Sequence, residues 1–312
     1  MVRFERKSLI PAYLVFAAAL ILWHFSALLA EGKMIRDQMG REVMVPDNPQ
    51  RVIALAPSIA ELICSLGEQD RLVGVTQHSE FTPTTRSLTQ VGSFVHPDVE
   101  RIVALKPDLC IAIKEGNPRD IVAKLESLEI PVYVINPCNL SGIMASLLEL
   151  GQLMGAGQKA ERLVKDMRNR IERVESSVAQ TGVRPKVFFQ ISTAPIVSAG
   201  TDTFVNELIT VAGGDNLARG PMRYPRFSLE QVLKLQPEVI IITSMLKDQE
   251  AEQVRDEWNQ WACIPAVRDH RVFLVDADLF DRPGFRLVEA LELLSRLIHP
   301  ELLTGGEFQS PK

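Results

Sequence analysis

The chain of 312 residues is 46% hydrophobic and 23% charged, with a formal net charge of −5 at pH 7. This length allows one large core or two lobes, because single hydrophobic cores stop growing beyond about 250–300 residues. The chain has no basic excess, no block of like charge and no low-complexity tract. This argues against nucleic-acid binding and against long disordered segments.

The N-terminus has the pattern of an export segment. Residues 9–30 contain no Asp, Glu, Lys or Arg, and they follow three basic residues, Arg3, Arg6 and Lys7. The apolar run is long enough to span a bilayer, and cleavage after Ala30 would place Leu28 where a small residue is preferred. Residues 1–30 are therefore predicted to be a signal peptide or membrane anchor, with an uncleaved anchor favoured. The expected location is the periplasm or the outer face of the cytoplasmic membrane.

Residues 36–140 are predicted to form an N-terminal α/β lobe. An apolar strand at 52–55 precedes a helix for which Ser58 and Glu61 form a capping box. Further along lie a second strand, a short helix at 99–105, a strand at 109–113, a helix at 118–128 and a strand at 132–135. Strands that alternate with helices indicate a mostly parallel sheet covered on both faces.

Residues 141–181 are predicted to be a linking helical segment. Ser141 is the expected cap of a first helix, and Gly155 and Gly157 interrupt the helical pattern. The second helix, of about 23 residues, would be ~35 Å long. It has one apolar face, formed by Leu163, Met167, Ile171, Val174 and Val178. A helix of this length is suited to brace two lobes.

The alternation of strands and helices restarts after Gly182 and Pro185. Residues 182–300 are therefore predicted to form a C-terminal α/β lobe, and residues 301–312 a tail. The predicted fold class is α/β, with two similar lobes that have central, mostly parallel sheets and are joined by a long rigid helix. Interfaces between lobes favour small-ligand sites, so a ligand cleft is expected between them.

One short unit occurs twice in the chain. VERIVALKPDLCIAI (residues 99–113) and LEQVLKLQPEVIIIT (residues 229–243) align without a gap, with Pro107 opposite Pro237. Packing of a helix, a turn and a strand explains the apolar matches. It does not require the glutamates that also match, Glu100 and Glu230, although the helix macrodipole favours an acid in a first turn.

The pattern resembles a family of periplasmic proteins that bind ferric siderophores, haem or cobalamin for ABC importers and have a rigid helix between two lobes. The resemblance is carried by RVIALAPSIAELICSLGEQDRLVGVT, by both copies of the repeated unit, by AGGDNLARG and by IPAVRDHRVFLVDADLFDRPG. It spans about residues 36–298, and the cobalamin-binding members are the most similar. It implies a monomeric, non-enzymatic receptor without a cofactor that delivers a metal chelate to a permease dimer with ATPase subunits. It also implies that Glu100 and Glu230, one per lobe, dock onto the permease.

Candidate cleft residues lie in the loops that follow the strands, where α/β lobes place their ligands. They are Pro57, Ser58, His78 and Phe94 in the first lobe and Tyr224, Arg226, Asp278, Asp281 and Arg282 in the second. In the cobalamin-binding relatives, aromatic side chains from both lobes flank the corrin ring. Phe94 and Tyr224 stand where those proteins have tryptophans, and His78 stands where they have a tyrosine. The expected ligand is cobalamin or a related corrinoid, with haem or a ferric siderophore as alternatives.

His78 raises the question of metal ligation. A neutral imidazole can bind cobalt or haem iron, whereas a lone histidine in a loop is more often solvated or hydrogen-bonded. A receptor for a bare metal ion would need a cluster of His and carboxylate ligands. The spacing of His78, His96, Glu80 and Asp98 gives no firm support for one. No protein metal site is therefore predicted.

The four cysteines, Cys64, Cys110, Cys138 and Cys263, show neither a CxxC pair nor the spacing of a metal site. Cys64 and Cys110 lie in apolar runs, where a free thiol behaves as a small hydrophobe. Pairing in an oxidising compartment stays open.

An enzyme and a membrane-tethered scavenger or sensor are the two alternatives to a transport receptor. An enzyme is disfavoured, because the sequence contains no G-x-S-x-G, P-loop or HExxH motif. A membrane-tethered chelate scavenger or sensor without a permease is an alternative that the predicted anchor would suit.

Overall fold

The structure is a computed structural model that describes residues 32–80, 82–244 and 248–305. The predicted export segment, residues 1–30, lies outside these ranges, as do residues 306–312 of the predicted tail. Within the described ranges, no helix has the length and apolar character that a membrane span requires.

The first lobe is a parallel sheet preceded by an antiparallel hairpin of β1 (Gly32–Arg36) and β2 (Glu42–Pro46). The strands of the sheet are β3 (Val52–Ala54), β4 (Leu72–Val75), β5 (Thr89–Gln90), β6 (Leu109–Ile113) and β7 (Val132–Ile135). The helices are α1 (Pro57–Leu66), α2 (Pro83–Arg86), α3 (Val99–Ala104) and α4 (Arg119–Ser127). All strands of the sheet run parallel, in the order β5-β4-β3-β6-β7.

Helix α1 begins in a different way from the prediction. Its N-cap is Ala56, Pro57 follows in the first turn, and no side chain caps the helix, so the predicted capping box of Ser58 and Glu61 is wrong. Proline is favourable at this position, because its missing N–H would have no partner in the helix. Glu61 is buried and instead accepts a hydrogen bond from the backbone N–H of Arg286, at 3.1 Å, in the other lobe.

Two helices, α5 (Leu140–Leu153) and α6 (Gly157–Val178), link the lobes. The N-cap of α5 is Asn139 rather than the predicted Ser141, and its side chain accepts a hydrogen bond from the Gly142 N–H at 2.6 Å. Helix α6 has 22 residues. Its buried face consists of Ala160, Val164, Met167, Ile171 and Val174.

The second lobe contains a six-stranded sheet. Its strands are β8 (Lys186–Thr193), β9 (Ile196–Ser198), β10 (Asp215–Asn216), β11 (Arg226–Phe227), β12 (Val239–Ser244) and β13 (Val272–Asp276). Its helices are α7 (Phe204–Val211), α8 (Leu229–Leu235), α9 (Asp248–Asn259), α10 (Pro265–Arg268), α11 (Ala277–Phe280) and α12 (Leu287–Ile298). Strands β8, β10, β12 and β13 are parallel to one another. Strand β9 pairs antiparallel with β8, and β11 pairs antiparallel with β9. The predicted fold class, two α/β lobes joined by a long helix, is confirmed.

The two copies of the repeated unit end their helices in the same way. Helices α3 and α8 are each followed by a residue with a left-handed backbone, Lys106 (φ 48°) and Gln236 (φ 49°). A proline comes directly after each of them. Because a proline disfavours the α conformation in the residue before it, the helix stops there.

The acid that follows each proline fixes the neighbouring strand. Asp108 accepts a hydrogen bond from the N–H of Arg51, at 3.0 Å, just before β3. Glu238 accepts one from the N–H of Lys186, at 2.7 Å, at the start of β8. The matched acids of the repeat therefore have the same structural role in both lobes.

One apolar cluster runs through both lobes and the linking helices, and each lobe also has a smaller cluster of its own. The shared cluster includes Leu109 of β6, Met167 of α6, Phe189 of β8 and Leu291 of α12. Arg170 on α6 reinforces the contact with α12 through two hydrogen bonds of 2.8 Å to Glu292. Helix α6 is therefore part of the shared cluster rather than a flexible linker.

Replacement of Met167 should destabilise the whole molecule. Met167 is fully buried, and Met→Ala changes at such sites cost about 2–5 kcal/mol in the free energy of unfolding. We expect Met167→Ala to lower the urea midpoint of both lobes together in one transition. Lys165→Ala, at an exposed position on the same helix, is the control and should leave the midpoint unchanged. Loss of one lobe at a lower urea concentration than the other would contradict a shared core.

Candidate functional site

A cavity of about 360 Å³, here called the cleft, lies between the lobes at the carboxyl ends of strands from both sheets. Every predicted cleft residue except Arg226 lines it, namely Pro57, Ser58, His78, Phe94, Tyr224, Asp278, Asp281 and Arg282. Arg226 is exposed at the start of β11, where it pairs with Val197, and it is not among the residues that line the cleft.

Two aromatic rings from opposite lobes line the cleft. Phe94 follows β5 and is 39% exposed, and Tyr224 precedes β11 and is 44% exposed, so both rings have open faces. The Tyr224 hydroxyl donates a hydrogen bond to Glu115 Oε2 at 3.3 Å, across the gap between the lobes. Two accessible rings around a largely apolar cavity favour a flat, weakly polar ligand surface.

Asn117 positions Phe94. Its buried side-chain amide donates to the carbonyl oxygens of Leu55, at 2.8 Å, and of Phe94, at 2.7 Å. Its Oδ1 accepts from the N–H of Ile113 at 2.7 Å. Asn117 thus joins three neighbouring segments at the carboxyl edge of the first sheet. Gly116, with φ +116°, lies under the Phe94 ring, where a Cβ atom would come within 2.4 Å of Phe94 Cδ2.

Gly200 has a similar role for Tyr224. Its N–H donates to the carbonyl oxygen of Arg223 at 2.7 Å. A Cβ atom on Gly200 would lie 1.9 Å from the carbonyl oxygen of Met222. Only glycine permits this close approach, so Gly200 allows the loop that carries Tyr224 to pack against the second sheet.

His78 lies in the cleft lining and is exposed, with a left-handed backbone at φ 64°. No group of three or more His, Cys, Asp or Glu side chains that could hold a metal ion occurs among the described residues. Within those ranges His78 is therefore a single candidate ligand and not part of a metal cluster.

The second lobe supplies most of the charged groups of the cleft, and Glu115 comes from the first lobe. Arg282 forms an ion pair with Asp278, which is about half exposed, so one cation and one anion lie at the rim. Asp281 is half-buried, and desolvation raises the pKa of its carboxyl to about 7, against an opposing effect of a hydrogen bond with Thr243. Asp281 is therefore a hydrogen-bond donor below about pH 7 and an acceptor above it.

Beneath the rim, Glu61 connects the lobes. Its carboxylate accepts the Arg286 N–H described above and lies where a Cβ atom on Gly284 would come within 2.7 Å of Oε1. Desolvation raises the pKa of Glu61, while the Arg286 N–H opposes that shift. This contact holds the segment after Arg282 against α1.

The matched glutamates lie away from the cleft. Glu100 is exposed in the first turn of α3, behind the N-cap Asp98. Glu230 is exposed in the first turn of α8, behind the N-cap Ser228, whose side chain lowers the pKa of Glu230. Both carboxylates are therefore accessible to a partner, one on each lobe.

Sequence reasoning missed several cleft residues. They are Ala56, Ile113, Glu115, Gly116, Asn136, Pro137, Cys138, Phe204, Ala277 and Pro283. Most of them follow β3, β6, β7 and β13, so the rule that ligands lie beyond strand ends could have found them. Phe204 lacks that signal, because it opens α7.

All four cysteines have free thiols. Cys110 is buried, and burial raises its pKa to about 12, which suits the predicted role of a small hydrophobe. Burial likewise raises the pKa of Cys64 to about 11. Cys138, unlike Cys64 and Cys110, is among the residues that line the cleft.

The chain is similar to known binding proteins over most of its length. A family model described as periplasmic binding protein matches residues 52–279. An uncharacterized ABC transporter substrate-binding lipoprotein of Bacillus subtilis, YvrC, is 31% identical over 86% of this chain and 85% of that protein.

Two solved structures are similar in fold and sequence. The periplasmic vitamin B12 binding protein BtuF of Vibrio cholerae has a TM-score of 0.73 and 29% identity, over 81% of this chain and 97% of that chain. A periplasmic heme binding protein from Pseudomonas aeruginosa has a TM-score of 0.74 and 28% identity, over 81% of this chain and 93% of that chain. Both are binding proteins rather than enzymes.

The raised pKa of Asp281 predicts a pH-dependent stability. The folded state holds this proton more tightly than the unfolded chain, in which the group titrates near 3.8. The resulting stabilisation is complete below about pH 4 and is lost as the pH rises through about 7. We expect Asp281→Asn to flatten this part of the profile of urea midpoint against pH. Asp256→Asn, at an exposed carboxylate on α9, should keep the slope, and an unchanged slope in Asp281→Asn would contradict the assignment.

Proposed function

Because this chain belongs to the periplasmic binding protein family and is a substrate-binding protein of ABC importers, we propose that it captures cobalamin or a related corrinoid in the cleft. The family is periplasmic, in agreement with the predicted export segment. The observation that carries the proposal is the pair of open aromatic rings, Phe94 and Tyr224, contributed by opposite lobes to one largely apolar cavity. The rings would cover the two faces of a flat macrocycle.

The polar rim of the cleft suits the edge of a corrin ring. Amide side arms both donate and accept hydrogen bonds, and Arg282, Asp278 and Asp281 offer groups of both kinds. Arg282 and Asp278 pair with each other, and the raised pKa of Asp281, about 7, leaves that carboxyl partly protonated near neutral pH, so the rim bears little net charge. This balance fits neutral amide arms better than a cluster of carboxylates.

Haem is the second candidate ligand. The heme-binding relative matches the fold as well as the vitamin B12-binding one, with TM-scores of 0.74 and 0.73. Arg282 would bind a propionate if it left Asp278, and His78 would be available as an axial ligand. Ferric siderophores are a third ligand class within the same kind of receptor.

Delivery to the membrane is proposed to use the matched glutamates. Glu100 and Glu230 are exposed on equivalent helices of the two lobes. A permease dimer with two-fold symmetry offers two equal surfaces, and a carrier with the same acid on each lobe meets both in the same way. Exposed charges of this kind also speed encounter more than they strengthen binding.

Ligand identity is tested by titration of the purified, detergent-solubilised protein with cyanocobalamin, haem and ferric siderophores. We expect a Kd below about 1 μM for cyanocobalamin and weaker binding of the other ligands. Tighter binding of haem than of cyanocobalamin would replace the first proposal by the second. The absence of binding by all three classes would refute the capture of a metal chelate in this cleft.

The aromatic rings should contribute directly to affinity. Phe94→Ala and Tyr224→Ala should each weaken corrinoid binding by about tenfold, equal to about 1.4 kcal/mol, because each removes one face of contact. Trp261→Ala removes a partly exposed aromatic ring that does not line the cleft and should leave the affinity unchanged. Equal corrinoid affinities in all three variants would rule out a corrin ring held between Phe94 and Tyr224.

Docking is tested by the double variant Glu100→Ala/Glu230→Ala. We expect unchanged ligand affinity by calorimetry but loss of uptake in cells that depend on this receptor, because only contact with the permease is removed. The double variant Glu161→Ala/Glu172→Ala, at exposed positions on α6, is the matched control and should support normal uptake. Normal uptake by the first variant would show that these glutamates do not dock the carrier.

A further inference from the structure

A second cavity, of about 600 Å³, adjoins the cleft. We call it the polar annex. Asn136 and Cys138 line both cavities, so the two spaces are adjacent. Its other lining residues include Lys114, Asp202, Asn206, Glu207 and Arg223.

Three residues form the partition between the two spaces. Glu115 and Tyr224 line the cleft, and Arg223 lines the annex. Arg223 forms an ion pair with Glu115, and the Tyr224 hydroxyl donates to the same carboxylate at 3.3 Å. A ligand whose ring contacts Tyr224 therefore has the annex directly beside that ring.

The annex differs from the cleft in chemistry. Apart from Val211 and Cys138, its lining consists of amide, hydroxyl and charged side chains, whereas the cleft is mainly apolar and aromatic. An elongated polar group can exchange its hydrogen bonds with water for hydrogen bonds to such a lining, whereas a flat apolar ring gains little there. The two cavities therefore select different parts of one ligand.

The side-chain amide of Asn206 offers a hydrogen-bond donor in the annex. Its Oδ1 accepts a hydrogen bond of 2.9 Å from Asn216 Nδ2, and Asn216 is itself fixed by the carbonyl oxygen of Ala199 at 2.9 Å. Because the oxygen of the Asn206 amide is engaged, its NH₂ group is the part left to meet a ligand acceptor.

Cations lie on the side of the annex nearest the partition. Lys114 is exposed and precedes Glu115 in the chain, and Arg223 forms an ion pair with the Glu115 carboxylate, so two cations lie close to one acid. Of the acids in the lining, Glu207 accepts a hydrogen bond from the N–H of Leu140 at 2.5 Å, and Asp202 is exposed next to Thr203. A single anionic group is accommodated on the side of Lys114 and Arg223.

We infer that the annex binds a polar arm of the ligand that carries hydroxyl groups and one anionic group, while the flat ring stays in the cleft. This inference rests on the proposed function and narrows it. The nucleotide arm of a complete corrinoid, with its ribose and phosphodiester, has this chemistry. Cobinamide has the same corrin ring without that arm, and haem has no such arm. The protein is therefore a receptor selective for complete corrinoids.

The test compares cyanocobalamin with dicyanocobinamide on the full chain by isothermal titration. Lys114→Ala removes an exposed cation, and Asn206→Asp keeps the acceptor for Asn216 while it replaces the donor by a carboxylate. Each variant should weaken cyanocobalamin by about tenfold, because it removes one charge-assisted or neutral hydrogen bond to the arm. Each should change dicyanocobinamide by less than about twofold. Lys159→Ala, at an exposed lysine on α6, should change neither ligand.

The outcomes separate the two proposals. If wild-type protein binds both corrinoids and the variants weaken both equally, or neither, the annex does not hold the arm, and the proposed function stands. Stronger binding of dicyanocobinamide than of cyanocobalamin by the wild-type protein would also overturn the inference. If the wild-type protein binds neither corrinoid, the proposed function fails, and the inference fails with it.

Discussion

The cleft depends on one constraint, which is that both lobes share one apolar cluster through the linking helices α5 and α6. Met167 and its neighbours on α6 pack in the same cluster as Leu109 of the first sheet and Phe189 of the second. A lobe cannot turn far without exposing part of that cluster, and the cost would be about 25 cal/mol for each Å² of apolar surface. The contacts of Arg170 with Glu292 and of Glu61 with Arg286 also oppose rotation of one lobe against the other. The distance between the aromatic rings is thus set by the core beneath them.

Buried asparagines complete this framework at the strand ends. Asn117 joins three segments of the first lobe, and Asn216 joins the end of β9 to α7 in the second. Each satisfies backbone groups that would otherwise be buried without partners, which costs about 1–3 kcal/mol per group. The loops can therefore be irregular enough to form a cleft and yet remain ordered. The polar annex and the half-buried Asp281 are placed on this framework.

Much of this architecture was predictable from local sequence. Alternating strands and helices, the apolar face of α6 and the proline after each copy of the repeat are short-range signals, and they predicted the fold class and the loops that line the cleft. Contacts over long sequence separations were not predictable. Glu61 looked like a capping residue because Ser58 stands three positions before it, but its partner Arg286 lies in the other lobe. Arg226 was predicted in the same cleft loop as Tyr224, but it belongs to a two-residue strand and is not among the residues that line the cleft.

The repeated unit has a consequence for orientation. Helix α3 with β6 and helix α8 with β12 are near copies on opposite lobes, down to the left-handed residue before each proline. A surface that contacted only the matched glutamates of these two units would meet the same acid after the carrier had rotated by half a turn. That surface would then bind the carrier in two orientations, with the ligand in the cleft turned by half a turn between them. Features that break this degeneracy are present on one lobe each: the hairpin of β1 and β2 on the first, and the antiparallel β9 and β11 on the second. A partner that distinguishes the two orientations must therefore contact one of these additions or a position at which the two units differ, such as Arg101 opposite Gln231.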